Sequence, residues 1–201
     1  MIAIIDYDAG NIKSVEKALH LLNQEVVVTR DRDTILKADK VILPGVGAFG
    51  DAMDNLNKYG LSDVIREVVS KKIPFLGICL GMQVLFESSE EAPGKEGLGI
   101  LKGEILRFQE KEGLKIPHMG WNSLYLQNDG NLFKNIKEGS YVYFVHSYYL
   151  KAKDEKIVTA TAQYGDRFHV SVQKDQVYGC QFHPEKSSDI GIQILKNFVD
   201  L

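Results

Sequence analysis

The chain has 201 residues, the size of one ordinary domain, and its 44% hydrophobic and 25% charged residues exclude disorder and collagen-like repeats. Its 24 basic and 27 acidic side chains leave a net charge of −3, which offers no electrostatic footprint for a nucleic acid. No apolar run reaches the roughly 20 residues of a membrane span, and two cysteines, Cys79 and Cys180, are too few for a disulfide framework.

Met1–Asp6 carries no basic leader pattern and reads as a first strand rather than a signal peptide, so a cytoplasmic location is expected. Asp8–Asn11 is a turn of small residues, and Ile12, Val15, Leu19 and Leu22 recur at helical spacing. Glu25–Thr29 is β-branched and predicts a strand. Val41–Leu43 leads into the glycine-rich stretch Pro44–Gly50, with helices predicted around Asp51–Asn57 and Leu61–Ser70. Ile73–Ile78 reads as a buried strand, followed by a helix from about Leu80 to Phe86. Such alternation is the pattern of βαβ units on a parallel sheet. From Gly103 onward, strand-like pieces follow one another: Glu104–Phe108, Tyr141–Leu150, Lys156–Ala162, Phe168–Gln173 and Gln176–Phe182. They predict antiparallel additions to one sheet edge. Ile190, Ile194, Leu195, Phe198 and Val199 form a closing amphipathic helix. With no linker or internal repeat, residues 1–201 are expected to form one domain: a three-layer α/β fold with a mixed central sheet flanked by helices.

Gly77-Ile78-Cys79-Leu80-Gly81 places a cysteine between an apolar strand and a helix, flanked by glycines. This is the layout of a nucleophile elbow. The sharp turn needs small neighbours, the helix N-terminus favours an anionic sulfur, and the Leu80 amide would face the space where an oxyanion develops. A buried core cysteine is the plainer alternative, and a catalytic one needs a base. Gln181-Phe182-His183-Pro184-Glu185 supplies a candidate: residues two apart on an extended segment project to one side, so His183 and Glu185 can meet as base and orienting acid. Cys180, on a strand with no glycine-framed turn after it, reads as core. His20 reads as an exposed or half-buried residue and His169 as a surface one, whereas His118 and His146 lie in aromatic contexts where either could line a pocket. None has partners at zinc-ligand spacing, so neither a metal nor another cofactor is expected. Pro44–Gly50 lacks the G-K-[ST] of a phosphate loop, but a glycine-rich loop after a strand can turn an amide into a pocket as an oxyanion donor.

Taken together and in order, Pro-Gly-x-Gly at Pro44–Gly47, Gly77–Gln83, His146–Tyr148 and His183–Glu185 resemble the class I, triad-type glutamine amidotransferases. The longer strings Pro44–Asp51, Pro117–Asn122, Phe144–Tyr149 and His183–Ser187, with the opening Asp6–Asn11, resemble one branch of that family. That branch is the glutaminase subunits of imidazole glycerol phosphate synthase, in histidine biosynthesis. Asp8 stands where many members have Gly, and Asp tolerates the left-handed backbone such a position requires.

The resemblance implies that Cys79 attacks the carboxamide of glutamine and forms a γ-glutamyl thioester, that His183 moves the protons, and that Glu185 orients His183. It implies oxyanion donors at Leu80 and at Val46-Gly47, and contacts to the amino-acid end of glutamine from Gln83, Ser147 and Tyr148. Ammonia would pass to a partner cyclase, a (β/α)8 barrel, in a heterodimer. There it would convert the phosphoribulosyl aminoimidazole-carboxamide intermediate PRFAR to imidazole glycerol phosphate and AICAR. Asn11, Met119, Trp121 and Lys186 match positions on the cyclase-facing rim. Glutaminases serving other pathways share the triad, and a redox protein with an elbow cysteine is a reading from another class. The strings at Pro44–Gly50 and Pro117–Asn122 argue against the first, and the His183–Glu185 pair against the second.

Overall fold

The computed structural model describes residues 1–128 and 130–201. Strand β1 (Ile2–Ile5) is buried at every position: Ala3 and Ile5 belong to one hydrophobic core, Ile2 and Ile4 to the other. A strand that feeds two cores lies in the middle layer of three. The chain returns through α1 (Ile12–Leu21) to β2 (Val26–Thr29), which pairs parallel with β1. A short helix that the charged sequence concealed, α2 (Arg32–Lys37), follows. The Asp31 carboxylate caps it, accepting from the Thr34 amide at 2.8 Å. Strand β3 (Lys40–Leu43) joins the other side of β1, and after α3 (Phe49–Lys58) and α4 (Leu61–Ser70) strand β4 (Phe75–Ile78) pairs parallel with β3.

The predicted helix after Cys79 is a single turn, α5 (Leu80–Gln83). The carbonyls of Val84, Leu85 and Phe86 are claimed by the amides of Leu98, Leu101 and Gly99, at 2.8, 3.0 and 3.1 Å. With those acceptors taken, the apolar run beyond Gln83 becomes a turn.

The later strands are β5 (Ser88–Ser89), β6 (Gly103–Arg107), β7 (His118–Ser123), β8 (Tyr125–Leu126), β9 (Tyr141–His146), β10 (Tyr148–Ala152), β11 (Val158–Tyr164), β12 (Asp166–Lys174) and β13 (Val177–Cys180). Helix α6 (Ser188–Val199) closes the described chain. Among the described residues the central sheet runs β2-β1-β3-β4-β13-β12-β10-β6-β5, with β11 on β12 and β8 on β11. It is mixed, as expected, with one correction to the predicted antiparallel extension. Strand β13 enters parallel to β4, and only beyond it do the antiparallel neighbours β12, β10 and β6 begin. The stretch Tyr141–Leu150 is also two strands rather than one. It breaks at Ser147, so β9 pairs with β7 in a separate two-stranded ribbon while β10 joins the main sheet.

Helices α2, α3, α4 and α5 cover one face with a core around Ile35, Leu56, Ile65 and Leu80. Helices α1 and α6 cover the other with Leu19, Leu195 and Phe198, to which the ribbon adds Val142 and Phe144. Among the described residues no helix is long and apolar enough to cross a membrane.

Candidate active site

Cys79 lies between β4 and α5 with φ 54° and ψ −113°, a backbone conformation that a non-glycine residue holds only where its surroundings enforce it. Its own amide donates to the Cys180 carbonyl at 2.7 Å, and its carbonyl accepts from Met82 and Gln83 at 3.0 and 3.1 Å. The glycines on either side are sterically required. A Cβ at Gly77 would lie 2.5 Å from the Gly81 carbonyl oxygen, and one at Gly81 would lie 1.9 Å from that of Leu43. Leu80 opens α5, so its amide is among the donors that a helix leaves unpaired.

His183 and Glu185 meet, but not through the extended geometry predicted for them. Pro184–Lys186 is a 3₁₀ turn, locked by Lys186 N–H to the His183 carbonyl and Ser187 N–H to the Pro184 carbonyl, both at 3.0 Å. The turn folds Glu185 back so that its Oε1 lies 2.7 Å from His183 Nδ1, with both side chains buried. A proline without an amide and a hydroxyl at Ser187, which donates to the His183 carbonyl at 2.6 Å, favour the turn over a continued strand. Nε2 of His183 meets no partner at hydrogen-bonding geometry among the described residues, yet it lies close enough to Cys79 to feel the sulfur. Burial pushes the imidazole down, but the Cys79 sulfur and the Glu185 carboxylate together outweigh it and raise it to about 10.

Val46, Gly47, Cys79, Leu80, Gln83, Ser147 and Tyr148 line one cavity of about 370 Å³, a volume fit for an amino acid. Two loops about 100 residues apart in the sequence, at Val46-Gly47 and Ser147-Tyr148, thus close on the Cys79 elbow. Gln83 is turned partly inward: its Nε2 donates to the Tyr148 carbonyl at 3.2 Å and to Gln181 Oε1 at 2.9 Å. His146 also lines the cavity, whereas His118 stacks behind it on Phe144 and Tyr164. His169, expected at the surface, is half-buried and accepts from the Ala152 amide at 3.1 Å.

The rim residues separate into two kinds. Met119 (62% exposed) and Trp121 (53%) alternate outward on β7, and Lys186 is exposed on the triad turn. Asn11 is different: in a left-handed conformation, φ 71°, it turns its amide inward to donate to Glu185 Oε1 at 2.5 Å. Asp8 is left-handed too, at φ 64°, with Arg30 bridging it and Asp6 at 2.8 Å each. The ribbon that carries Met119 and Trp121 is tied to the triad turn. The His183 amide donates to the Tyr143 carbonyl at 3.0 Å, and the Tyr143 amide donates to Ser187 Oγ at 2.9 Å.

Two further residues at the site were not singled out from sequence. Gln181 is fully buried and points its Nε2 at the Cys79 sulfur, 3.6 Å away. The only signal was its place two residues before His183. Glu91 brings a carboxylate to the cavity wall and accepts from the Phe49 amide at 2.8 Å. It sits in a run of acidic residues that reads as ordinary solvated surface.

A family model described as glutamine amidotransferase class-I matches residues 3–201. The chain is 50% identical over 201 residues to the imidazole glycerol phosphate synthase subunit HisH of Methanocaldococcus jannaschii, covering 100% of both. It is 54% identical over 198 residues to the HisH subunit of Bacillus cereus, covering 98% of this chain and 93% of that one. Among solved structures, a crystal structure of a glutamine amidotransferase superposes with a TM-score of 0.77 at 20% identity, covering 100% of this chain and 98% of that one. PurLQS from Thermotoga maritima superposes with a TM-score of 0.75 at 19% identity, covering 99% and 97%. These two likenesses concern the fold.

Proposed function

The chain belongs to the class I glutamine amidotransferase family, and from that premise we propose that it is the glutaminase subunit of imidazole glycerol phosphate synthase. It hydrolyses L-glutamine to glutamate and ammonia and passes the ammonia to a cyclase subunit in histidine biosynthesis. Relatives of that name at about half identity over the full chain support the pathway. The single observation that carries the chemistry is the imidazole of His183, held by a buried carboxylate and raised by the sulfur it faces.

In this reading glutamine sits in the cavity with its carboxamide at Cys79. Its amino-acid end is held by the main chain at Ser147 and Tyr148, by Gln83, and through its ammonium by Glu91. With its proton passed to His183, the sulfur attacks the carboxamide carbon, and the negative charge that builds on the oxygen is met by the Leu80 amide and by an amide of the Val46-Gly47 segment. Raised well above neutrality, His183 holds a proton at pH 7 and delivers it to the departing ammonia. It then draws a proton from the water that cleaves the thioester and releases glutamate. Glu185 fixes the tautomer and orientation of the ring. A nucleophilic thiol that must stay reduced suits the cytoplasm, and residues 1–201 act as one amidotransferase domain.

Met119, Trp121 and Lys186 form the docking rim for the cyclase, a (β/α)8 barrel that uses the ammonia to convert PRFAR to imidazole glycerol phosphate and AICAR. Glycines on both sides of Val46 let its peptide rotate, so the donor is aimed only when the partner is in place, and futile hydrolysis is suppressed. The test is glutamate release by the chain alone, with the cyclase, and with the cyclase plus PRFAR. Release should be low alone, rise strongly with the liganded cyclase and vanish in Cys79→Ala. Full release without the cyclase would move the enzyme to another pathway, and none from folded protein with an active cyclase would refute the glutaminase reading.

A further inference from the structure

Tyr7, two residues beyond β1, is 1% exposed, and its hydroxyl has no hydrogen-bond partner among the described residues. The hydroxyl occupies the space beside Gly45: a Cβ added there would lie 2.3 Å from it, with Gly81 N and Leu80 Cβ at 3.0 Å. Burial, and after it the nearby Cys79 sulfur, keep the phenol protonated far above its ordinary range. A fixed donor therefore stands between the glycine loop and the elbow with no acceptor among the described residues. The same loop is touched a second time, since a Cβ on Gly10 would meet Val46 Cγ2 at 2.8 Å.

Peptide planarity decides what the donor is for. In a trans peptide the N–H of one residue and the C=O of the one before point in opposite directions. If the Val46 amide turns toward the cavity, the Gly45 carbonyl must turn away from it, and the Tyr7 hydroxyl, beside Gly45 but not among the residues that line the cavity, is placed to meet it. Gly47, at φ 103° with open space around it, leaves the segment free to make that turn.

We propose that Tyr7 is a positioning residue for the oxyanion loop: its hydroxyl donates to the Gly45 carbonyl when the Gly45–Val46 peptide rotates, and so holds the Val46 amide on the developing oxyanion. This inference rests on the glutaminase reading of the site. Tyr7→Phe keeps the ring and its packing and removes only the donor.

The experiment uses the full chain with the cyclase subunit and PRFAR, measuring kcat and KM for glutamine hydrolysis, and in parallel the alkylation of Cys79 by iodoacetamide. The expected result is a kcat lowered by about tenfold, less than the loss when an oxyanion donor itself is removed, with KM unchanged. Alkylation should keep its rate, because displacement of iodide at a saturated carbon builds no oxyanion, and the melting temperature should not fall. An unaltered kcat, or equal losses in hydrolysis and alkylation, would overturn the inference. Wild-type protein separates the two levels: no glutamate from it under these conditions would bring down the glutaminase reading, and this inference with it.

Discussion

Asn11 shows how one side chain can be assigned to two different jobs. Its motif position places it on the partner-facing rim, while its amide is spent on Glu185 Oε1, the oxygen that also faces His183 Nδ1. A carboxylate oxygen held from two sides leaves the imidazole little freedom to swing away from the sulfur. Replacing Asn11 by glycine keeps the left-handed backbone at φ 71° and deletes only the amide. Steady-state kinetics of glutamine hydrolysis should then show kcat down by about tenfold, the weight of one hydrogen bond to a charged group, with little change in cyclase affinity. A residue serving only the rim would give the reverse, with affinity lost and kcat for the assembled complex intact. Gln181 could not be anticipated in this way. An amide two residues from a histidine on a strand is unremarkable until the parallel pairing of β13 with β4 lays it against the elbow.

At the scale of elements, the ribbon β7–β9 carries a buried relay. The His146 Nδ1–H donates to the Tyr148 carbonyl at 2.7 Å, which leaves Nε2 to accept from His118 Nδ1 at 3.0 Å; Asn122 Nδ2 lies 3.3 Å from His118 Nε2. The chain of bonds works only with both imidazoles neutral. Burial pushes His118 down to about 4, and His146 to about 3 with a smaller push from His118 and His183. Unfolded, both would titrate near 6.5, so below that pH the unfolded chain takes up protons that the fold refuses. Their stabilisation is present above pH 6.5 and is lost as the pH falls toward 4. His183 has the opposite sign: its contribution is present below 6.5 and disappears as the pH rises through 10, so it adds no slope in the acid window. Melting temperature followed from pH 7 to 4.5 should fall, and less steeply in His118→Gln, which has one titrating group fewer. Parallel slopes for the two proteins would contradict the assignment.

The first half of the fold was legible in the sequence because local periodicity and glycine placement determine βαβ units. The second half was less so. Strand order there depends on pairings between distant segments, and Tyr141–Leu150 carries no break signal at Ser147, where the chain leaves the ribbon for the main sheet. The Cys79 elbow was visible because its glycines sit within four residues of one another. Glu91 and Gln181 were not, since only tertiary closure brings them to the cavity.

On the scale of the whole molecule, the proposed docking rim and the proposed triad are one connected piece of hydrogen-bonded backbone. Met119 and Trp121 stand on β7, β7 pairs with β9, and β9 is bonded at Tyr143 to both ends of the triad turn. The Trp121 ring, 6.1 Å from that of Tyr143, is an exposed aromatic of the kind that anchors interfaces. Trp121→Ala should weaken cyclase binding by at least tenfold in a titration, in keeping with the roughly 2 kcal/mol or more of an interface hot spot, and leave the melting temperature of the isolated chain nearly unchanged. Unchanged affinity would remove this face from the interface.

The place of β13 in the sheet has a consequence for how the molecule comes into being. Strand β4 is made early, yet its neighbour on one side, β13, lies about 100 residues later in the chain. While the polypeptide is being synthesised, that edge stands open, a ready template for pairing with another chain. The strand that seals it delivers Gln181 and His183 to Cys79 in the same stroke. A thiol waiting at its elbow on a growing chain has no base beside it, and a chain cut short before residue 177 lacks both the seal and the chemistry. In the proposed chemistry, birth order thus keeps the protein inert until its sheet is whole.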